Sequence, residues 1–266
     1  MSGYTGDPRY DTALAVAFAI VAVTAVSALF VRTPYGRFAD ARFGISLDPR
    51  LGWFLMELPA SVVFLATFAA GPLRGEPFAL FVLAVWCVHY ANRGFLMPAL
   101  MRVPRGQGTS FSFMVVAIGW AVTSLHGYLN AAWTTRFSPA TQAGWAWFAD
   151  PRFWVGFALY AGGLAANLRA DHVVRSLRTR EEVAQGIKRY RIPRGGLFEY
   201  VTNASYLCEL VAWAGFAIFT WSLAGVYILA ISAANLIPRA IDTHRWYRER
   251  FPEYPAQRKV LIPFVW

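Results

Sequence analysis

The chain has 266 residues, of which 57% are hydrophobic and 15% charged, against roughly 45–50% and about 25% in a soluble domain. This balance points to a membrane protein and excludes collagen-like, disordered and disulfide-stapled classes, the last because the two cysteines, Cys87 and Cys208, both lie in apolar runs. The net charge of +10 comes without a polar stretch long enough for a nucleic-acid-binding domain, so the excess cation belongs to loops flanking membrane spans.

Helical spans of about 20 mostly apolar residues are expected at 12–31, 52–70, 77–96, 110–131 and 153–168, followed by an apolar tract over 206–238. That tract is too long for one ordinary span. Trp221-Ser-Leu-Ala-Gly225 near its middle has the composition of a tight turn, which divides it into two helices and brings the total to seven. The first span is expected to be a retained helix. Ala25-Val-Ser27 resembles a weak cleavage site, but Asp7 and Asp11 around Arg9 leave no positively charged leader.

Seven spans agree with the distribution of cations. With the N-terminus outside, the inner segments hold twenty of the 25 Lys and Arg: Arg32, Arg37, Arg42, Arg50, Arg102, Arg105, eight residues over 169–194 and six over 239–259. The outer segments hold Arg9, Arg74, Arg136 and Arg152, and Arg93 lies within the third span. Short cytoplasmic loops carry the Lys/Arg excess. The expected fold is therefore an all-α polytopic membrane protein, one domain over 1–266, with an external or lumenal N-terminus and a cytoplasmic C-terminus.

Ionisable groups inside spans cost about 2.5–3.5 kcal/mol on insertion scales and so mark sites or internal pairs. Glu57, in Trp53-Phe-Leu-Met-Glu57-Leu-Pro59, is either a protonated carboxyl in a cation-free pocket or the partner of Arg93. His89, Tyr90 and Arg93 are spaced to share a polar helix face, with snorkelling to the interface as the plainer reading of Arg93. His126, Tyr128 and Asn130 form a second polar group near the outer end of the fourth span. Asn167 and Asp171, four apart, lead into Arg175 and Arg178 on nearly the same face, a pattern suited to an anion and a ribose or to an ordinary basic flank. Glu209 follows Ser205 by one turn, and Gly195-Gly196 supplies backbone that can approach a phosphate closely. Rossmann, P-loop and zinc-protease motifs are missing from the sequence.

A longer pattern resembles the steroid 5α-reductases. It comprises Tyr190-Arg191-Ile-Pro-Arg-Gly-Gly-Leu-Phe-Glu-Tyr200, Glu209, Trp213, Thr220-Trp-Ser-Leu223, Arg239, His244-Arg-Trp-Tyr247, Phe251-Pro-Glu-Tyr-Pro255 and Arg258-Lys-Val-Leu-Ile-Pro-Phe264, joined upstream by the Trp53 to Pro59 motif and by His89, Tyr90 and Arg93. The resemblance implies a seven-helix enzyme that uses NADPH to reduce the C4=C5 double bond of 3-oxo-Δ4-steroids. It places Glu57 and Tyr90 at the 3-keto oxygen, with Trp53 in the substrate site. Arg93, Asn167, Asp171, Arg178, Tyr190, Arg191, Ser205, Glu209 and Tyr247 fall at cofactor-contacting positions. Ser205, His126, Thr243 and Ala212 depart from the family's usual residues, which bears on the cofactor grip and on steroid preference. The expected partners are a lipophilic enone and the bilayer, and a bacterial source would place the chain in the inner membrane, a eukaryotic one in the endoplasmic reticulum.

Related membrane reductases of polyprenols or enoyl thioesters share the required chemistry. An isoprenylcysteine-type methyltransferase would need an Arg-His-Pro motif that is missing here, and a lipid transporter leaves the long C-terminal pattern unexplained.

Overall fold

The computed structural model describes residues 4–32, 36–38, 45–104 and 111–266. Arg42, Arg105 and Ser110, named above in the inner loops and at the start of the fourth span, lie outside the described residues.

The protein is an array of long apolar helices. Helix α1 (Pro8–Ser27) begins where the Asp7 side chain accepts the backbone N–H groups of Arg9 and Tyr10. Helix α2 (Pro49–Ala69) begins in the same way at Asp48. Helix α3 (Pro77–Tyr90) runs through a π-helical turn (Ala91–Leu96) into the short α4 (Met97–Leu100). Helix α5 (Phe113–Ala132) also ends in a π turn (Trp133–Phe137), before α6 (Pro139–Gln142). Then follow α7 (Pro151–Ser176), the short α8 (Arg180–Ala184), α9 (Ala204–Thr220) and α10 (Leu223–Arg250). A two-residue antiparallel pairing, β1 (Ser46–Leu47) with β2 (Phe111–Ser112), closes the ends of α2 and α5.

Five stretches are long and apolar enough to cross a bilayer: Pro8–Ser27, Pro49–Ala69, Pro77–Leu100, Phe113–Gln142 and Leu223–Arg250. The protein is thus a helical integral membrane protein. Helix α9, with 17 residues, is shorter, and α7 carries Arg152, Arg169, Asp171 and Arg175 over its 26 residues. The division of the last apolar tract falls where the sequence places it. Trp221 closes α9 in the left-handed region (φ 46°), and the Ser222 hydroxyl accepts the Gly225 N–H to open α10.

Helices α7 and α9 approach so closely that side chains would not fit between them. A Cβ on Gly156 would lie 2.4 Å from the Phe219 nitrogen, one on Gly163 2.6 Å from the Ala212 nitrogen, and one on Gly215 2.4 Å from the Tyr160 nitrogen. In lipid, helices associate by van der Waals packing rather than by the hydrophobic effect, so small residues that admit backbone contact replace a greasy seam. Gly127 does the same for α5 against α2, its Cβ position 2.7 Å from the Phe64 nitrogen. Around these contacts runs an aromatic core: Phe64 stacks on Trp86 at 4.4 Å, and the Trp86 indole N–H donates to the Ala60 carbonyl at 3.0 Å. The C-terminal tail docks back on the segment before α9. The Thr202 N–H donates to the Lys259 carbonyl and the Lys259 N–H to the Tyr200 carbonyl, while the Asn203 amide donates to the carbonyls of Ala240 and Val260.

Candidate active site

The site starts at the end of α3. A π turn adds a residue to the helical repeat and re-aims the side chains that follow it, a device frequent at functional sites. His89 and Tyr90, consecutive on α3 before that turn, point about 100° apart as neighbours on any α-helix do, and Arg93 lies within the turn, so the three fan out rather than share one face. His89 faces α7 and α9, where its ring lies 4.3 Å from Trp213 and its Nδ1 lies 3.3 Å from the Tyr160 hydroxyl. Tyr90 points to α5, with its hydroxyl 3.4 Å from Nδ1 of His126. Arg93 reaches between α2 and α9: its guanidinium is 3.8 Å from Glu57 and 3.3 Å from Glu209, and covers the face of Trp53 at 4.7 Å. Of the two sequence readings of Glu57, the structure has the one with a cation beside it, and adds a second carboxylate that spacing did not reveal.

Arg93 also lines a cleft of about 410 Å³ formed by the start of α2, the residues after α4, the end of α7, the segment 188–191 and α10. Nine cations face this space, namely Arg37, Arg93, Arg102, Arg175, Arg178, Lys188, Arg189, Arg191 and Arg239, with Asp171 as the only carboxylate among its described lining residues. Trp53, Tyr190, Tyr206 and Tyr247 add aromatic walls. Of the residues expected to contact cofactor, Arg93, Asp171, Arg178, Tyr190, Arg191 and Tyr247 line the cleft. Asn167, Ser205 and Glu209 do not line it. The Asn167 amide donates to the Ser205 carbonyl at 2.8 Å and so ties α7 to the first turn of α9.

Several arginines are held in place by groups remote in sequence. Arg37 lies over the rings of Trp246 and Tyr247, both at 4.8 Å, and of Tyr190 at 5.8 Å. The Tyr247 hydroxyl in turn donates to the Arg191 carbonyl at 3.3 Å. Arg102 and Arg178 each donate to the other's backbone carbonyl, joining the chain after α4 to the chain after α7. Burial pulls the Arg178 guanidinium below its ordinary range. Arg191 grips both oxygens of Glu182, one at 2.8 Å, and these bonds hold the Glu182 carboxyl down at about 2. The Thr179 hydroxyl and the Glu182 carboxylate form a reciprocal capping box that starts α8 beneath them.

Some contributors carried no sequence signal. Arg37 sits in a polar loop with no spacing to mark it, and Tyr206, whose hydroxyl accepts from Arg239 at 3.0 Å, stands at the start of an apolar tract with nothing to single it out. Gly195 and Gly196 are used differently from the expectation. Both have left-handed φ (90° and 57°), do not line the cleft, and form the turn into a short 3-10 helix (Gly196–Glu199), where the Gly195 N–H donates to Glu199.

The cleft's chemistry fits an extended polyanion. Arg37 Nη1 and Arg178 Nε, on residues that line the cleft, are buried without a hydrogen-bond partner among the described residues, so donors are in place that the protein itself does not satisfy. Family comparison bears on what such a site serves. Residues 109–266 match the model of the family described as 3-oxo-5-alpha-steroid 4-dehydrogenase. The chain is also 37% identical over 246 residues to 3-oxo-5-alpha-steroid 4-dehydrogenase 1 of Rattus norvegicus, covering 91% of this chain and 90% of the relative. It is 32% identical over 239 residues to steroid 5-alpha-reductase DET2 of Solanum lycopersicum, with 89% of each covered, and 33% identical over 248 residues to the Arabidopsis thaliana DET2 protein, with 91% of each covered. The chain belongs to the steroid 5α-reductase family. As a member it is an oxidoreductase acting on CH–CH groups.

Proposed function

We propose that the protein is a single reductase domain over 1–266 that reduces the C4=C5 double bond of a 3-oxo-Δ4-steroid with NADPH, giving the 5α product. The observation that carries this reading is the position of Arg93, which lines the cation-rich cleft and touches Glu57, so that an anion site and an intramembrane acid adjoin through one side chain. The curated relatives are named for a 3-oxo-5-alpha-steroid or for steroid 5α-reduction, which supports the substrate class.

Helices α7 and α9 complete seven spans in this reading. Seventeen residues of α9 reach about 25 Å at 1.5 Å per residue, against a hydrocarbon core of about 30 Å, a shortfall that local thinning accommodates. The N-terminus lies outside and the arginine-rich cleft opens to the cytoplasm. Arg178, Arg191 and Arg93 hold the phosphates, Asp171 takes a ribose hydroxyl, Tyr190 and Tyr247 wall the cleft, and Asn167, Ser205 and Glu209 support it from outside its lining. NADPH, when bound, would supply the hydride delivered to C5, and a proton taken up from water would complete the reduction at C4.

Reduction of a conjugated enone moves negative charge onto the carbonyl oxygen, so donors already aimed there lower the barrier. Tyr90 and Glu57 supply them, and Trp53 flanks the substrate. Two carboxyl groups around one guanidinium are electrically neutral when they share one proton, whereas two carboxylates would leave an uncompensated charge among apolar helices. That proton lets Glu57 donate to the oxygen instead of repelling the forming enolate. The test is incubation of the purified protein with NADPH and a panel of 4-en-3-one steroids, polyprenols and enoyl thioesters, followed by product mass spectrometry. A gain of two hydrogens in the steroids is expected; a gain confined to another class, or unconsumed NADPH, overturns the reading.

A further inference from the structure

His126 lies outside every role assigned above, yet it is the only hydrogen-bond partner of Tyr90 among the described residues, its Nδ1 3.4 Å from the phenol oxygen. It is itself held from two sides. Its ring meets Tyr227 of α10 edge-on at 5.3 Å, and its backbone carbonyl accepts the Asn130 amide, which also reaches the Ala224 carbonyl of α10. Its Nε2 is buried and has no partner among the described residues. We infer that His126 is a positioning residue for Tyr90, donating its Nδ1–H to the phenol oxygen and leaving the phenol O–H free to bond the substrate's carbonyl.

A neutral imidazole has one donor and one acceptor, so two arrangements are possible. With the proton on Nε2, the phenol donates to Nδ1 and is withdrawn from the carbonyl; Nε2 is unpartnered in either arrangement, as an N–H here and as a less costly lone pair in the other. With the proton on Nδ1, the phenol oxygen accepts from His126 and its O–H is released toward the substrate. The chain His126 to Tyr90 to carbonyl then polarises in one direction, and each bond strengthens the next as charge develops on the oxygen. The other tyrosine–histidine pair shows the contrast. The Tyr160 hydroxyl, 3.3 Å from His89, also has the Val85 carbonyl at 3.5 Å to receive its proton, so it is satisfied within the protein and needs no ligand. Tyr90 has no such carbonyl among the described residues.

This inference rests on the proposed enone reduction, and the experiment separates the two. Wild type is first assayed with NADPH and the 4-en-3-one that it turns over best. If NADPH is not consumed with any enone, the functional reading falls and this one with it. If wild type is active, His126→Leu is expected to lower kcat by about 10- to 100-fold, as loss of an outer-shell partner does elsewhere, with KM for the enone and the NADPH dissociation constant within about two-fold. His126→Gln, which keeps an N–H donor, is expected to restore most of the rate. On a Tyr90→Phe background, His126→Leu is expected to cost nothing further, because the partner it acts through is gone. A readout independent of turnover is the C=O stretch of a bound 3-13C-labelled enone, which is expected to move to higher frequency in His126→Leu as the donor weakens. His126→Phe, which keeps a flat ring against Tyr227, replaces His126→Leu if the latter loses cofactor binding. An unchanged kcat and carbonyl stretch, an additive loss on the Tyr90→Phe background, or a Gln variant no better than Leu overturns the inference while leaving the proposed function standing.

Discussion

Among the described residues, the cleft gathers nine cations around one carboxylate, whereas the adjoining intrahelical group sets two carboxylates, Glu57 and Glu209, around the guanidinium of Arg93. The first is built largely from loops and helix ends, and its arginines are braced by backbone carbonyls and aromatic faces that a ligand can leave undisturbed. The second is built from side chains of α2, the turn after α3, and α9, in surroundings where one proton more or less changes the net charge of the group. A surplus of one sign along a cleft suits capture of a large anion. A near-balanced cluster on packed helices suits a fixed reaction geometry. Arg93 belongs to both, which makes the division between binding and chemistry open to test.

The largest expected effect is on the intrahelical side. Tyr90→Phe and Glu57→Gln should each lower turnover by about 10²–10³, the usual cost of one donor to a developing oxyanion, with NADPH affinity retained; wild-type rates in both purified variants would break the comparison. On the cleft side, Arg178→Ala should weaken NADPH binding by about 10- to 100-fold, since hydrogen bonds to charged groups contribute about 1.5–3 kcal/mol, while enone affinity is little changed. Fluorescence titration with NADPH measures this, and an equal dissociation constant removes Arg178 from the site. Raising ionic strength should weaken NADPH binding as well, because exposed charges are screened.

The glycine seam supports both regions at once. Gly163→Val pushes a side chain into the backbone of α9 and should destabilise the protein by about 1–3 kcal/mol, the cost of overpacking a tight contact, whereas Gly162→Ala, whose Cβ meets nothing within 4 Å, should be nearly neutral. Thermal unfolding in detergent compares the pair. The smallest effect concerns acid. The Glu182 carboxyl is held at about 2 against an ordinary 4.5, chiefly by its bonds from Arg191. A depressed carboxylate contributes stability that is fully present above pH about 4.5 and lost as pH falls through about 2. Limited proteolysis of the segment between α7 and α9 should therefore be constant from neutral pH to about 4.5 and increase below it, and Glu182→Gln should remove that pH dependence.

Much of the fold was legible before any tertiary contact. The break at Trp221 and the approach of Asp171, Arg175 and Arg178 to one cleft follow from local composition and helical period, whereas α1 and α2 begin at Pro8 and Pro49, behind their Asp7 and Asp48 caps, rather than at 12 and 52 as hydropathy alone placed them. The direction of Arg93 relative to His89 and Tyr90 was not legible, because a π turn interrupts the period that such reasoning assumes. Nor was the use of Gly195 and Gly196 as a turn, since positive φ serves a turn and a phosphate loop equally well.

What the sequence determined by itself is the membrane character, the helical elements and the family, because partition of apolar residues, capping and motif spacing are all local properties of the chain. Which carboxylate meets Arg93, which imidazole meets Tyr90 and which arginines share the cleft were decided only when helices distant in sequence were rotated and packed. Pairing across helices depends on the glycine contacts that set their separation and on the π turn that sets their facing, and neither quantity is carried by any single stretch of sequence.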